Sequence, residues 1–364
     1  MHATNTNNSR FTLLLCAAVA LFLCVPAVFV AIETLPQRLT DQEFWKLSSD
    51  SSEPGGTFHS ENLVSNEIRF QTIIPELARS AVPGRTYVGV GSEQNFTYIA
   101  AVRPAMAFIV DIRRGNLDLH LIYKALFELS SNRAEFVSRV FSREKPAGLS
   151  ASSTAAEIFT AYRKTPSSQA LYNQNLKDIK TSLITKHGFQ LSSGDLTAID
   201  FIYNSWFKFG PDIRYELNGG GGGPNFPTYA ELMTSSDSEG HNRSYLASED
   251  SFRFIKDLEM RNMIVPVVGN FGGPKAIRAV ASYLKQKEAA VSVFYLSNVE
   301  QYLRQDGIWT NFCASAATLP IDDRSVLIRT LRAGFAGQPA VVGANGNFNL
   351  EISPMKRDVA NCRR

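Results

Sequence analysis

The chain lacks a marked excess of either basic or acidic residues. Lys and Arg number 37 against 34 Asp and Glu, a formal net charge of +3 at pH 7. The basic residues are scattered rather than gathered into the stripe that nucleic-acid-binding domains present to phosphates, so no nucleic acid is expected as a partner. Cysteine is nearly absent: there are four in 364 residues, at spacings that suit no zinc tetrahedron, and no metal is expected. The five histidines lie far apart. There is no His-Glu-x-x-His, no Gly-x-Ser-x-Gly and no Walker phosphate loop, which argues against metalloprotease, serine hydrolase and P-loop chemistry. Internal repeats and heptads are missing too.

The long apolar run that most soluble chains lack is present. Residues 11–32 are apolar and uncharged, with Arg10 before them and Glu33 after. That length suits a transmembrane helix and exceeds the usual apolar region of a signal peptide, although Val25-Pro26-Ala27 offers a cleavage site. The first expectation is an uncleaved single-pass anchor, with the membrane as a partner. The alternative is a secreted or periplasmic domain after cleavage. Arg10 on one side and Arg38 and Lys46 on the other leave the orientation nearly balanced, and the short N-terminal tail leans toward an outside domain. Cys16 and Cys24 fall inside the run. Cys313 and Cys362 belong to the remainder, where they form one disulfide if that part is outside the cytoplasm, or stay as two thiols.

The expected layout is a tail at 1–10, the anchor or signal at 11–32, a flexible linker at 33–57, a folded α/β domain at 58–335 and a C-terminal tail at 336–364. Residues 48–56 are rich in Ser, Asp, Glu, Pro and Gly, the composition of a tether. Short apolar strands are read at 87–90, 107–110, 263–268 and 290–296, with weaker candidates at 309–314 and 325–331. Helical spacing follows several of them, which predicts a parallel sheet covered on both faces. Between about 140 and 262 the pattern is helical, with a capping box at Ser192 and Asp195; the five glycines at 219–223 read as a loop. The fold expected is therefore α/β, a Rossmann-like doubly wound, mostly parallel sheet with a long helical insertion.

Strand ends carry the candidate chemistry. The first strand runs into Gly89 and Gly91, then Ser92, Glu93 and Gln94; the second ends in Asp111, followed by Arg113, Arg114 and Asn116. Glycine lets a ligand approach the main chain, and an acidic tip about 20 residues on holds a ribose hydroxyl in dinucleotide sites. Gly89, Gly91, Glu93, Gln94 and Asp111 are thus the candidates for an adenosine-containing ligand. Arg113, Arg114 and Asn116 are candidates for an acidic group on a substrate. Asn270, Ser297 and Asn298 follow later strands and join Glu93 as candidates for catalysis. Each has a plainer role open to it: glycine for a turn, Asp111 for a cap, the arginines as solvated charges, Asn270 for a bend. His120, beside Leu119 and Leu121, reads as a structural histidine. Asn95-Phe96-Thr97 and Asn242-Arg243-Ser244 match glycosylation acceptors.

Val88-Gly89-Val90-Gly91-Ser92-Glu93-Gln94-Asn95-Phe96-Thr97-Tyr98, Phe108-Ile109-Val110-Asp111-Ile112-Arg113-Arg114-Gly115-Asn116 and Val293-Phe294-Tyr295-Leu296-Ser297-Asn298-Val299-Glu300-Gln301-Tyr302-Leu303 resemble an uncharacterised bacterial family. That family is similar to class I S-adenosylmethionine-dependent methyltransferases. The resemblance covers about residues 58–330. It implies S-adenosylmethionine as cofactor, with Gly89 and Gly91 as the first two glycines of its loop and Asp111 on the ribose. Glu93 stands where the third glycine belongs, Tyr87 replaces the usual acid, and no Asn-Pro-Pro-aromatic element follows at Asn270. The function expected is a membrane-tethered methyltransferase-like protein. The alternatives are a catalytically silent binding domain on the same scaffold and an NAD-dependent oxidoreductase.

Overall fold

A computed structural model describes residues 34–58, 60–215, 226–332 and 348–362. The apolar run at 11–32 and the glycine run at 219–223 lie outside the described residues. Among those described, no helix is long and apolar enough to cross a membrane.

A six-stranded sheet organises the fold, in the order β3-β2-β1-β4-β5-β6. The strands are β1 (Thr86–Gly89), β2 (Met106–Asp111), β3 (Ile264–Val268), β4 (Val291–Ser297), β5 (Val326–Arg332) and β6 (Phe348–Pro354). Neighbours from β3 to β5 run parallel, with Val88 facing both Phe108 and Phe294; only β6 is antiparallel to β5. The residues of β1, β2 and β3 are all buried, which is why they read as apolar runs without alternation. Strands after β1 step one way along the sheet and those from β4 step the other. The ends of β1 and β4 therefore form the switch point, where the connections diverge and leave a crevice.

Helices cover the sheet. Before β1 come α1 (Asp41–Ser51) and α2 (Ile74–Ser80); α3 (Gln94–Val102) joins β1 to β2. Between β2 and β3 lie α4 (Arg114–Leu129), α5 (Arg133–Phe141), α6 (Ala155–Lys164), α7 (Gln169–Lys180), α8 (Ser193–Phe209), α9 (Tyr229–Thr234) and α10 (Glu249–Met260). The helices from α6 to α10 fill the insertion expected at about 140–262. Their aromatic core continues into α4, with Trp206 edge-on to both Tyr123 and Tyr229 at 5.9 and 5.1 Å. The Ser192 and Asp195 capping box forms at the start of α8. Then α11 (Ala276–Gln286), α12 (Val299–Gln305), α13 (Trp309–Ala316) and α14 (Met355–Asn361) complete the set.

Three expectations need correcting. The segment at 309–314, read as a weak strand, is helical, because Phe312, Cys313 and Ala316 put their buried side chains on one face at spacings of three and four. The segment at 336–364 was expected as a tail, yet it carries β6 and α14. The segment at 33–57 was expected as a linker, yet it holds α1 and then a strap across the carboxyl ends of the strands. Glu53 N donates to Val268 O and Gly56 N to Ile112 O, both at 2.8 Å. A side chain at Gly56 would meet Ile112 at 2.6 Å. α1 is fastened further through His187, whose ring nitrogens lie 2.8 Å from Asp41 Oδ1 and 2.7 Å from Glu128 Oε2.

Candidate functional site

The switch-point crevice encloses a cavity of about 310 Å³, within the size range of small-molecule sites. Four strand ends contribute. β1 supplies Gly91 and Gln94, β2 supplies Asp111 and Arg113, β3 supplies Asn270, and β4 supplies Ser297 and Asn298. The strap closes over them with Phe58, Asn62 and Ser65, and α12 adds Tyr302 and Asp306.

Gly91 has a φ of +82°, in the left-handed region that glycine adopts without cost. No atom lies within 4 Å of the place a Cβ would take, so its backbone stays open to the cavity. Its carbonyl is held from below. His120 is buried in α4, and burial pushes its pKa down to about 4. The neutral ring therefore donates from Nε2 to Gly91 O at 2.8 Å. Asn95 fixes the same turn: Oδ1 accepts from the Tyr87 hydroxyl at 2.8 Å, and Nδ2 donates to Val90 O and Ser92 O at 2.9 and 2.8 Å. Asn95 is fully buried and so offers no surface to a glycosylating enzyme. Gly89 serves packing instead, since a Cβ there would lie 2.1 Å from Asn95 Oδ1.

Asp111 and Arg113, each only 6% exposed, form a pair. Asp111 Oδ1 accepts from the backbone N–H of Arg113 at 2.9 Å and from its Nε at 3.2 Å; Oδ2 accepts from Nη2 at 3.3 Å. The guanidinium also donates from Nη1 to Glu61 O in the strap. Asn116 lies behind it, accepting from Nη2 at 3.5 Å. Arg114 turns away to Asp195, with Nε–Oδ1 at 2.9 Å and Nη2–Oδ2 at 3.0 Å. Thus Arg113 lines the cavity, while Arg114 and Asn116 are not among its lining residues.

Ser297 closes β4 with a φ of +51°, an uncommon conformation for a residue with a Cβ and one that concentrates at functional sites. Its hydroxyl donates to Glu67 Oε1 at 2.7 Å. The buried Glu67 also accepts at Oε2 from the Tyr295 hydroxyl at 2.9 Å and from Gln94 Nε2 at 3.0 Å. Burial raises its pKa. Neither Glu67 nor Tyr295 stands out as a site residue in the sequence, because the contact that joins them spans 228 residues. Asn270 both lines the cavity and shapes its turn, its Oδ1 accepting from Gly272 N at 2.9 Å.

Glu93 sits under the loop rather than against the cavity. It is wholly buried, accepts from Ser65 N at 3.1 Å, and burial raises its pKa to about 7. Between the ordinary carboxylate value and that one, the folded protein keeps a proton that the unfolded chain has released. Stability therefore falls as pH rises through this window and levels off above it. Between pH 6 and 8 the unfolding free energy of Glu93→Gln should fall by about 1 kcal/mol less than that of the unaltered protein. Urea titrations at both pH values measure this.

Residues 62–358 match the family model described as Domain of unknown function (DUF7790), and the chain belongs to that family. The match takes in all six strands and most of the cavity lining. A search of curated proteins returned no match.

Proposed function

We propose that this member of the DUF7790 family binds an adenosine-containing ligand in the switch-point crevice, as a class I methyltransferase-like protein with S-adenosylmethionine as the first candidate. The observation that carries the reading is that Gly91 and Asp111 line one cavity. The residues fit a nucleoside. Gly91 leaves main-chain space beside the ring or ribose, and Asp111 Oδ2 has a single long contact from Arg113, so lone pairs remain for ribose hydroxyls. Phe58 and Tyr302, with ring centroids 5.0 Å apart, give an aromatic wall. An acceptor would lie toward Asn270, Ser297 and Asn298. Bound there, S-adenosylmethionine would supply an activated methyl group. The chain's part would be to hold donor and acceptor in line and exclude water, with no proton acceptor assigned.

Calorimetry of the full-length protein with S-adenosylmethionine, S-adenosylhomocysteine and NAD tests the reading. Binding should also raise the unfolding free energy by about 2.7 kcal/mol at a ligand concentration a hundredfold above Kd. Absence of heat and of thermal shift with all three would end it.

A second reading, a catalytically silent binding domain, is favoured by one observation: Cys313 and Cys362 are disulfide-bonded. Disulfides persist in oxidising compartments, and S-adenosylmethionine is made in the cytoplasm. With residues 11–32 as a membrane anchor or export signal, the domain would face away from that supply and take a nucleoside found outside.

A further inference from the structure

Resting on the nucleoside reading above, we infer that the crevice admits nucleosides whose 5′ substituent carries no net negative charge and rejects 5′-phosphorylated ones. Phosphate sites in open α/β sheets use free helix N-termini and cations near glycine loops. Here those positions are already engaged by the chain's own carboxylates and carbonyls.

The loop after β3, Gly269-Asn270-Phe271-Gly272-Gly273-Pro274, resembles a phosphate cradle in composition. Asn270 N and the N–H groups that open α11 are taken by Glu53 from the strap, while Gly269 N donates to Asp111 O, Gly272 N to Asn270 Oδ1 and Gly273 N to Asn270 O. Glu53 Oε1 accepts from Lys275 N at 2.7 Å and Ala276 N at 2.8 Å, and Oε2 accepts from Asn270 N at 3.2 Å. A Cβ at Gly273 would lie 2.4 Å from Glu53 Oε2. The glycine therefore makes room for this carboxylate rather than for a ligand. The ammonium of Lys275 is drawn outward, donating to Ser52 O at 2.7 Å.

Two more helix ends face the crevice: that of the short α12, at Asn298 and Val299 with the acidic Glu300 in its first turn, and that of α3. The buried Glu93 stands at its N-cap, and the Glu67 carboxyl is hydrogen-bonded to Gln94 in its first turn. An incoming phosphate would find no cation at this helix end, where the Glu93 and Glu67 carboxyl groups lie beneath the cavity lining. Among the described residues lining the cavity the charged ones are Asp111, Asp306 and Arg113, two negative against one positive. The single cation is engaged by Asp111 and by the Glu61 carbonyl. A dianion entering this space loses its hydration and gains no free counter-charge.

The test is a calorimetric panel on the full-length protein: adenosine, S-adenosylhomocysteine, AMP, ADP and NAD at one ionic strength. Adenosine and S-adenosylhomocysteine should bind, and each phosphorylated ligand should be at least about tenfold weaker. The Glu53→Gln variant keeps an acceptor oxygen for the α11 donors but removes the charge, so it should raise the AMP-to-adenosine affinity ratio. AMP, ADP or NAD binding as tightly as adenosine would overturn the inference and leave the nucleoside site standing. Silence from all five ligands would remove the site and the inference together.

Discussion

Asp111→Ala is expected to lower the unfolding free energy by about 3–5 kcal/mol, the cost of leaving a buried ion without its partner, and to abolish nucleoside binding. Both effects come from one carboxylate. It neutralises the buried Arg113 guanidinium through Oδ1 and Oδ2, and it lines the cavity where ribose hydroxyls would lie. The two roles separate in a second variant. Removing both members of a buried pair costs far less than removing one, so Asp111→Ala combined with Arg113→Met should recover most of the lost stability. It should not recover binding. Urea denaturation gives the first quantity and calorimetry the second. Full stability in the single variant would mean that Arg113 finds enough in the Glu61 carbonyl and Asn116. Retained nucleoside binding would take Asp111 out of the site.

What the sequence disclosed, and what it hid, follows from the range of the contacts involved. β1 to β4 were legible because strands covered on both faces are nearly all apolar, and their ends fall close to the expected positions. Gly91 and Asp111 were legible because left-handed backbone and an acidic strand tip each leave a residue-type signature. The strap was hidden because its composition misleads. Ser and Gly at 48–56 read as a tether, but the smallness of these residues serves close packing. Ser48 Oγ donates to Pro266 O at 2.5 Å, and Ser52 Oγ accepts from Val268 N at 2.9 Å. Hydroxyls that bond to a strand some 216 residues away leave no periodicity behind. Glu53, Glu67 and Tyr295 were missed for the same reason. The doubled arginine showed the limits of local reading from the other direction. Neighbours in sequence, Arg113 and Arg114 leave in different directions, one to the crevice and one to α8.

Breaking the Cys313–Cys362 bridge is expected to lower stability by up to about 4 kcal/mol, the loop-closure entropy for a loop of about 50 residues. The bridge ties α13 to the end of α14 across a sequence separation of 49. Trp309 Nε1 donates to Cys362 O at 3.1 Å in the same place. Without the bridge, β6 and α14 keep their ladder with β5, the buried Met355 and the contacts of Arg329 with Glu300, Glu351 and Asp358 at 3.2 to 3.5 Å. These partly exposed ion pairs are worth little singly. The C-terminal edge should therefore loosen before the sheet does, with α14 amides exchanging hydrogen well ahead of those of β1 and β2. Hydrogen exchange with and without a reductant, together with denaturation of the Cys313→Ala, Cys362→Ala double variant, measures both parts. A protein indifferent to reductant, with Cys313 and Cys362 themselves titrating as free thiols in its native state in addition to Cys16 and Cys24, would remove the argument for an oxidising compartment. The cytoplasmic, S-adenosylmethionine-using reading of the crevice would then be the stronger of the two.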